Sequence, residues 1–422
     1  MKVFKFGGAS VNSTTAVKNV KSILERYAEQ QLVLVFSAMG KTTNALEKIT
    51  TAAFGNHPDT GILLDNLKSY HLEIAGGLFP DPHHPVYGQI QEIFNRIQSL
   101  TKETNCPFDE FYDRIVPSGE LLSTTIVSNY LRESGLDPWL VPACDIIVTD
   151  PRFRDAAINW SETEKRITEK VAAPILTGEK KIIITQGFIG ATADGRMTTL
   201  GREGSDFTAS ILAFCLNAGE VIVWKDVDGL LNGDPAIFQN LVKIDHISYY
   251  DAIELAFFGA KILHPKTIKP LQNKSIPLRI KSFFHPESGG TLINNQSPGE
   301  MDVPFLIKKQ NQVLISFVSK DFSFIAEDKL HLLFGIFNQL NIKINLMQNS
   351  AISFSIIINH PGHKLEELLG ILRNDFDIRY NEGLELLTIR NFNEPELNSL
   401  IAGKKVLLEQ RSRRTIQLAY LS

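Results

Sequence analysis

Apolar residues recur along the first three hundred positions in two alternating rhythms. Short β-branched and aromatic runs at residues 3–6, 32–37, 145–149, 181–189 and 221–225 predict strands. Between the first two, Val17, Val20, Leu24 and Tyr27 fall at three- and four-residue steps, an apolar stripe on a helix that Ser13 can cap. Ile90, Phe94, Ile97 and Leu100 mark another helix in a largely helical middle stretch. Strands alternating with helices predict an α/β sandwich, a sheet with helices packed on its faces.

Between residues 289 and 304, Gly-Gly, Asn-Asn, Ser-Pro-Gly and Val-Pro accumulate and neither rhythm persists. This places a domain at 1–293 and a linker at 294–304. Beyond it come a strand at 313–318, a helix with Leu330, Leu333, Phe337 and Leu340 inward, strands at 342–346 and 352–358, a helix at 365–372 and a strand at 376–380. The order βαββαβ, the split-βαβ arrangement, defines a module over 305–390. A shorter module over 391–422 follows, announced by a strand at 384–389. A helical segment at 397–401 and a possible hairpin from 405–410 and 415–421 make it resemble the same unit with its last helix missing.

Composition narrows the function classes. The 422 residues suggest two or three domains with sizeable cores. Lys and Arg total 43 against 47 Asp and Glu, a net charge of −4 that gives no general attraction to nucleic acid or anionic lipid. Phosphate must therefore be held locally. Cys106, Cys144 and Cys215 are far apart and odd in number, so neither a disulfide framework nor a protein metal cluster is expected. No apolar leader precedes the first glycines and no run is long enough to span a membrane, so a cytoplasmic protein is expected.

Candidate chemistry lies in four segments. Lys5-Phe6-Gly7-Gly8-Ala9-Ser10 puts a lysine at a strand end, then two residues whose N–H groups can approach a polyphosphate, then a hydroxyl. A solvated lysine before an ordinary turn fits that segment equally well. Gly201-Arg202-Glu203-Gly204-Ser205-Asp206 leads into a helical run, where amides converge at a positive helix end; helix capping by Ser205 or Asp206 is the alternative. Arg202 can fork around a carboxylate, and Asp206 can hold a metal or orient a donor lysine. Lys225-Asp226-Val227-Asp228-Gly229 through Asp234-Pro235 crowds turn residues and acids past a strand end, where ligands of open α/β sheets lie. Asp228-Gly229 reads as a turn. Gly259-Ala260-Lys261-Ile262-Leu263-His264-Pro265 offers a lysine near a helix end, with His264 structural. Neither a P-loop nor the glycine pattern of protein kinases is present.

Together these segments resemble the aspartate kinases of the amino acid kinase family. Ser37-Ala38-Met39-Gly40-Lys41-Thr42-Thr43-Asn44, Pro117-Ser118-Gly119-Glu120 and Gln186-Gly187-Phe188 complete the series, in the family's order and across almost the whole chain. The resemblance implies a three-layer α/β/α amino acid kinase sandwich followed by ferredoxin-like βαββαβ ACT modules, the second truncated. It further implies transfer of the γ-phosphoryl group of ATP to the β-carboxylate of L-aspartate, with Mg²⁺, opening lysine, threonine and methionine biosynthesis. By resemblance Lys5 bridges the transferring group and Asp206 organises Lys5, while Ser37, Thr43, Glu120, Arg202 and Ser205 hold aspartate. The nucleotide would lie along Gly7, Gly8, Ser10, Lys225, Asp226, Asp234, Lys261 and Ile262. No protein metal ligand is implied.

The ACT modules imply pairing into a homodimer or higher homo-oligomer and an amino-acid effector site at residues 319–329, across from Asn349-Ser350-Ala351. Ala351 takes a place where lysine-inhibited relatives can carry an acid, and loss of that carboxylate removes the natural partner of an effector ammonium. No length is expected to remain for a fused dehydrogenase domain. Ala9 stands in place of a threonine and Glu203 of a glycine, the latter adding a negative charge beside an anion site, while Leu231 replaces an aromatic and Ala236 an arginine, both on the nucleotide side. A glutamate-type kinase and an inactive amino-acid sensor are the alternatives.

Overall fold

The computed structural model describes residues 1–260, 263–296 and 303–421. The chain divides into two compact units: Met1–Leu230 with Lys243–Ile253 and Leu263–Pro298, and Leu231–Val242 with Glu254–Ile262 and Gly299–Ser422.

The first unit is built on an eight-stranded sheet in the order His246–Ser248, Thr291–Asn294, Leu278–Ser282, Glu220–Lys225, Lys2–Phe6, Leu32–Phe36, Ile182–Gln186, Pro138–Leu140. Neighbours are parallel except Leu278–Ser282 against Thr291–Asn294. Successive side chains of a strand point to opposite faces, and here both faces are dry. Phe4, Phe6, Leu34, Phe36, Ile222 and Trp224 join one apolar core with Val17, Val20 and Leu24 of helix Thr14–Glu25 and Leu122, Ile126 of helix Ser118–Glu133. The intervening Val3, Val33, Val35 and Val223 are equally buried on the other face, where helix Gly204–Leu216 packs. Three layers result, because strands buried on both sides need helices on both sides. Ser13 caps the first helix as expected, its hydroxyl accepting from Ala16 N at 3.2 Å.

Two strand expectations need correction. Within 145–149, Asp145 and Ile146 end the helix Ala143–Ile146, and the strand is reduced to Val148–Thr149. Residues 181–189 are two strands, Ile182–Gln186 in the main sheet and Ile189–Thr192 in a three-stranded sheet with Val148–Thr149 and Met197–Thr199. The break falls at Gly187-Phe188. A Cβ at Gly187 would lie 2.5 Å from the Ser205 side chain, and Phe188 takes the left-handed conformation at φ 70°.

In the second unit the strand Phe305–Ser319, helix Glu327–Gln339, strands Ile344–Asn349 and Ser353–Asn359, helix Lys364–Leu372 and strand Phe376–Arg390 follow the order βαββαβ. The strands expected separately at 376–380 and 384–389 are one fifteen-residue strand, antiparallel to an equally long Phe305–Ser319. The sheet order is Ile344–Asn349, Ser353–Asn359, Phe305–Ser319, Phe376–Arg390, Thr415–Leu421, Lys405–Arg411. The two long strands therefore serve two cores. Their near halves cover Leu333, Phe337, Leu368 and Leu372. Their far halves place Leu306, Leu387 and Ile389 against Leu397, Ile416, Leu418 and Tyr420. The short C-terminal piece thus obtains its fourth strand from residues 305–309 rather than lacking one.

Candidate active site

The strand order places several loop ends of the parallel sheet side by side, and the backbone knits them together. Ser37 N donates to Phe6 O at 3.1 Å and Gly40 N to Gly8 O at 3.0 Å. A Cβ at Gly8 would stand 2.7 Å from Gly40 O and 2.9 Å from Ala38 O, so the close approach of these two loops requires glycine there. Ser10 is buried and its N–H bonds Gly7 O at 2.9 Å, which tightens the turn.

Beside these loops a cleft of about 400 Å³ is lined by Lys5, Ser37, Thr43, Glu47, Tyr112, Glu120, Arg154, Phe188, Gly201, Arg202, Glu203, Gly204, Ser205 and Asp206. Lys5 Nζ lies 2.7 Å from Asp206 Oδ1, with the two side chains 12% and 7% exposed. A pair this dry keeps its partners aligned instead of exchanging them with water. Asp206 stands in the first turn of helix Gly204–Leu216, the end that favours negative charge.

Glu120, in the first turn of helix Ser118–Glu133, is 2% exposed. Its Oε1 accepts from Ala38 N at 3.1 Å while Oε2 is buried with no hydrogen-bond partner. Burial pushes its pKa up to about 8, against the pull of two backbone donors and of Lys5. A buried carboxyl with one unsatisfied oxygen and a raised pKa in a cleft marks a candidate functional group. Arg202 is exposed at the same cleft. Glu203 is held left-handed at φ 54°, and its Oε2 accepts from His264 N at 2.6 Å, so its charge is engaged by a backbone donor.

The cleft therefore brings together Lys5, Ser37, Thr43, Glu120, Arg202, Ser205 and Asp206. Lys225 ends the strand next to that of Lys5; burial drives its pKa down, Asp206 opposes, and the positive charge of Lys5 adds to the lowering. Asp226 is exposed just beyond. Asp234 belongs to the second unit, where Oδ1 accepts from Ala236 N at 3.0 Å. Lys261 and Ile262 lie outside the described residues. His264 Nδ1 accepts from Lys266 N at 3.2 Å and caps helix Pro265–Asn273.

Glu47, Tyr112, Arg154 and Phe188 line the cleft without having been singled out in the sequence. Glu47 had a legible signal, standing four residues after Thr43 on helix Thr42–Phe54 and so on the same face. Tyr112 and Arg154 come from segments with no motif. The Tyr112 hydroxyl donates to Glu47 Oε1 at 2.7 Å, and burial first, then that contact, raise the phenol's pKa.

Residues 1–282 match the amino acid kinase family, and the chain belongs to that family. Aspartokinases are among its relatives. The lysine-sensitive aspartokinase 3 of Escherichia coli (strain K12) is 32% identical over 368 residues, covering 85% of this chain and 78% of that protein. The bifunctional aspartokinase/homoserine dehydrogenase of Buchnera aphidicola is 30% identical over 396 residues, 91% of this chain. The chain spans 47% of that relative's length, and 63% of chloroplastic aspartokinase 1 of Arabidopsis thaliana, to which it is 30% identical. Two solved structures of E. coli aspartokinase III superpose over nearly the full length. The complex with lysine and aspartate, a T-state, gives a TM-score of 0.81 at 27% identity, covering 99% of this chain and 95% of that one. The complex with aspartate and ADP, an R-state, gives 0.83 at 26%, covering 100% and 96%.

Proposed function

We propose that this protein is an ATP-dependent aspartate kinase that forms 4-phospho-L-aspartate. The reading rests on one observation: the dry Lys5–Asp206 pair shares a cleft with an unsatisfied buried carboxyl, Glu120, and an exposed guanidinium, Arg202. An acceptor with two carboxylates and one ammonium is complementary to that set. Glu120 takes the ammonium, Arg202 a carboxylate, and Ser37, Thr43 and Ser205 supply hydroxyls.

In this mechanism an oxygen of the β-carboxylate attacks the γ-phosphorus, a P–O bond forms, and the bond to the β-phosphate oxygen breaks to leave ADP. The attacking carboxylate is ionised at neutral pH, so no general base is needed. Lys5 neutralises charge on the transferring group and Asp206 fixes the ammonium's position. Gly7, Gly8 and Ser10 offer close backbone approach to phosphate. Lys225 and Asp226 complete the nucleotide side within the first unit. No group of three His, Cys, Asp or Glu poised for a metal occurs among the described residues. Mg²⁺ bound with the nucleotide would offset phosphate charge, and Asp206, beside Lys5 in the cleft, is the carboxylate that would lie nearest to it.

In the regulatory unit we infer an amino-acid effector site at residues 319–329. Ile325 N donates to Ala351 O at 2.8 Å, and Lys329 Nζ lies 2.9 Å from Asp321 Oδ1. Homo-oligomerisation through the ACT-like sheet belongs to the same reading.

Release of ADP, followed with aspartate, glutamate or no acceptor, tests the proposal. Turnover dependent on aspartate supports it. Turnover with glutamate alone moves the chain to another acceptor, and silence with both leaves an amino-acid sensor, which equilibrium binding of lysine and threonine would then examine.

A further inference from the structure

Arg154 combines three features that the reading above leaves unused. It lines the cleft. Its backbone sits in the left-handed region at φ 67°, where a long L side chain stays only if its surroundings hold it. Its N–H is bonded at 2.9 Å to Oδ2 of Asp113, a fully buried carboxyl of helix Phe108–Ile115.

Asp113 ties two segments together. Its Oδ2 also accepts from Thr199 N at 2.8 Å and its Oδ1 from the Thr199 hydroxyl at 2.7 Å. Thr199 ends the strand Met197–Thr199, two residues before Gly201-Arg202. The two loops touch directly: a Cβ at Gly201, itself at φ 75°, would lie 2.6 Å from Asp155 Oδ1 and 3.3 Å from Arg154 O. Arg154 and Arg202 thus leave adjoining loops at one cleft.

The guanidinium carbon of Arg154 lies 4.6 Å from the centroid of the Tyr112 ring, whose hydroxyl is held by Glu47. It also lies 5.8 Å from the Phe108 ring centroid, and its ion pair, Nη1 to Asp109 Oδ1 at 3.2 Å, joins side chains 47% and 60% exposed, a solvent-screened pair of little strength. A guanidinium held over an aromatic face through its π-system can still offer N–H donors to a carboxylate.

We propose that Arg154, held in place by Asp113, is a second carboxylate-recognising residue of the acceptor site. It acts beside Arg202 on the acceptor carboxylate that is not phosphorylated, an inference resting on the kinase reading above. A guanidinium fork on the reacting carboxylate would engage the lone pairs that must attack phosphorus, so it serves the other one. Asp113 is a positioning residue, which touches no ligand and sets where the guanidinium stands.

Arg154→Gly separates recognition from folding, because glycine accepts the left-handed backbone while the guanidinium is lost. With aspartate and glutamate as acceptors, KM for the acceptor used by the unaltered protein should rise about tenfold in this variant. Turnover number and KM for ATP should stay within about twofold, and the unfolding temperature should not fall. The α-amide of aspartate, which lacks the recognised charge, should bind the variant and the unaltered protein alike. Asp113→Ala should raise the acceptor KM in the same direction, and Asp113→Asn, which keeps an oxygen for both N–H groups, should restore it. An unchanged acceptor KM in Arg154→Gly, with the unaltered protein turning over, overturns this inference alone. No turnover by the unaltered protein with either acceptor overturns the kinase reading and this inference with it.

Discussion

At the scale of single residues Glu120 makes the sharpest prediction. With its pKa at about 8, its carboxyl holds a proton in most free molecules at pH 7. An ammonium placed against the unsatisfied Oε2 favours the carboxylate, so acceptor binding should expel that proton. Affinity for the acceptor should rise with pH up to about 8 and flatten above. Calorimetry at pH 7 in buffers of differing ionisation enthalpy should record a net release approaching one proton; uptake, or no exchange, would rule the role out. Stability carries the opposite slope. The folded chain keeps a proton that the unfolded chain loses near 4.5, so this group's contribution falls as pH rises from 4.5 to about 8. Glu120→Gln retains the acceptor for Ala38 N–H but cannot ionise, and should raise the acceptor KM by about tenfold or more while leaving the unfolding temperature unharmed. Gly8→Ala tests the neighbouring loops. Its Cβ would press on two backbone carbonyls, and kcat/KM should drop by about tenfold or more as the loops separate.

Among elements, the helix Gly204–Leu216 shows both how a site is written in sequence and what the writing omits. Its glycine-flanked start was legible because an anion-binding helix end needs side-chain-free residues and a hydroxyl in sequence. What Glu203 does there was not, because its partner, His264 N, is sixty-one positions away. The same limit separates Lys5, Glu120 and Asp206, visible through local motifs, from Tyr112 and Arg154, which reach the cleft by the folding of unmarked segments. Among strands, the fully apolar 32–36 declared itself, whereas residues 181–189 concealed a break, since an apolar period cannot show that Ser205 will press on Gly187. Glu203→Gly follows from this geometry. The change relieves a left-handed conformation and removes a negative charge from the cleft, at the cost of the bond to His264 N. These stability terms are each about 1 kcal/mol and opposed, so the unfolding temperature should move little. KM for ATP should fall by about two- to fivefold. A rise in KM would show that the carboxylate assists the nucleotide.

For the molecule as a whole, the consequential feature is that the second unit is assembled from three stretches of chain. Asn232 donates through Nδ2 to Pro304 O at 2.9 Å and accepts at its own carbonyl from Leu306 N at 2.7 Å. Arg390, 5% exposed, reaches Glu254 at 3.4 Å, and the Lys309 stem covers Gly259, where a Cβ would lie 2.6 Å from Lys309 Cε. Residues 231–242 and 254–260 are thus partners of the C-terminal sheet although they precede the linker expected at 294–304. A chain ending at residue 296 would keep the eight-stranded sheet but leave those segments without the strands that satisfy them. Buried amides and a packed glycine turn would then face water or one another. Such a chain should unfold several degrees below the full protein, and limited proteolysis should nick it first within 231–242 and 254–260. The full protein should resist cleavage there. If the two cores of the second unit were beads joined by a tether, the shortened chain would keep its unfolding temperature and digest no faster at those segments. Asn232→Ala in the full chain separates the possibilities further, since it strips two side-chain hydrogen bonds, to Pro304 O and from Val242 N, without deleting any strand. A loss of about 1–3 kcal/mol is expected, together with faster cleavage at 231–242 alone.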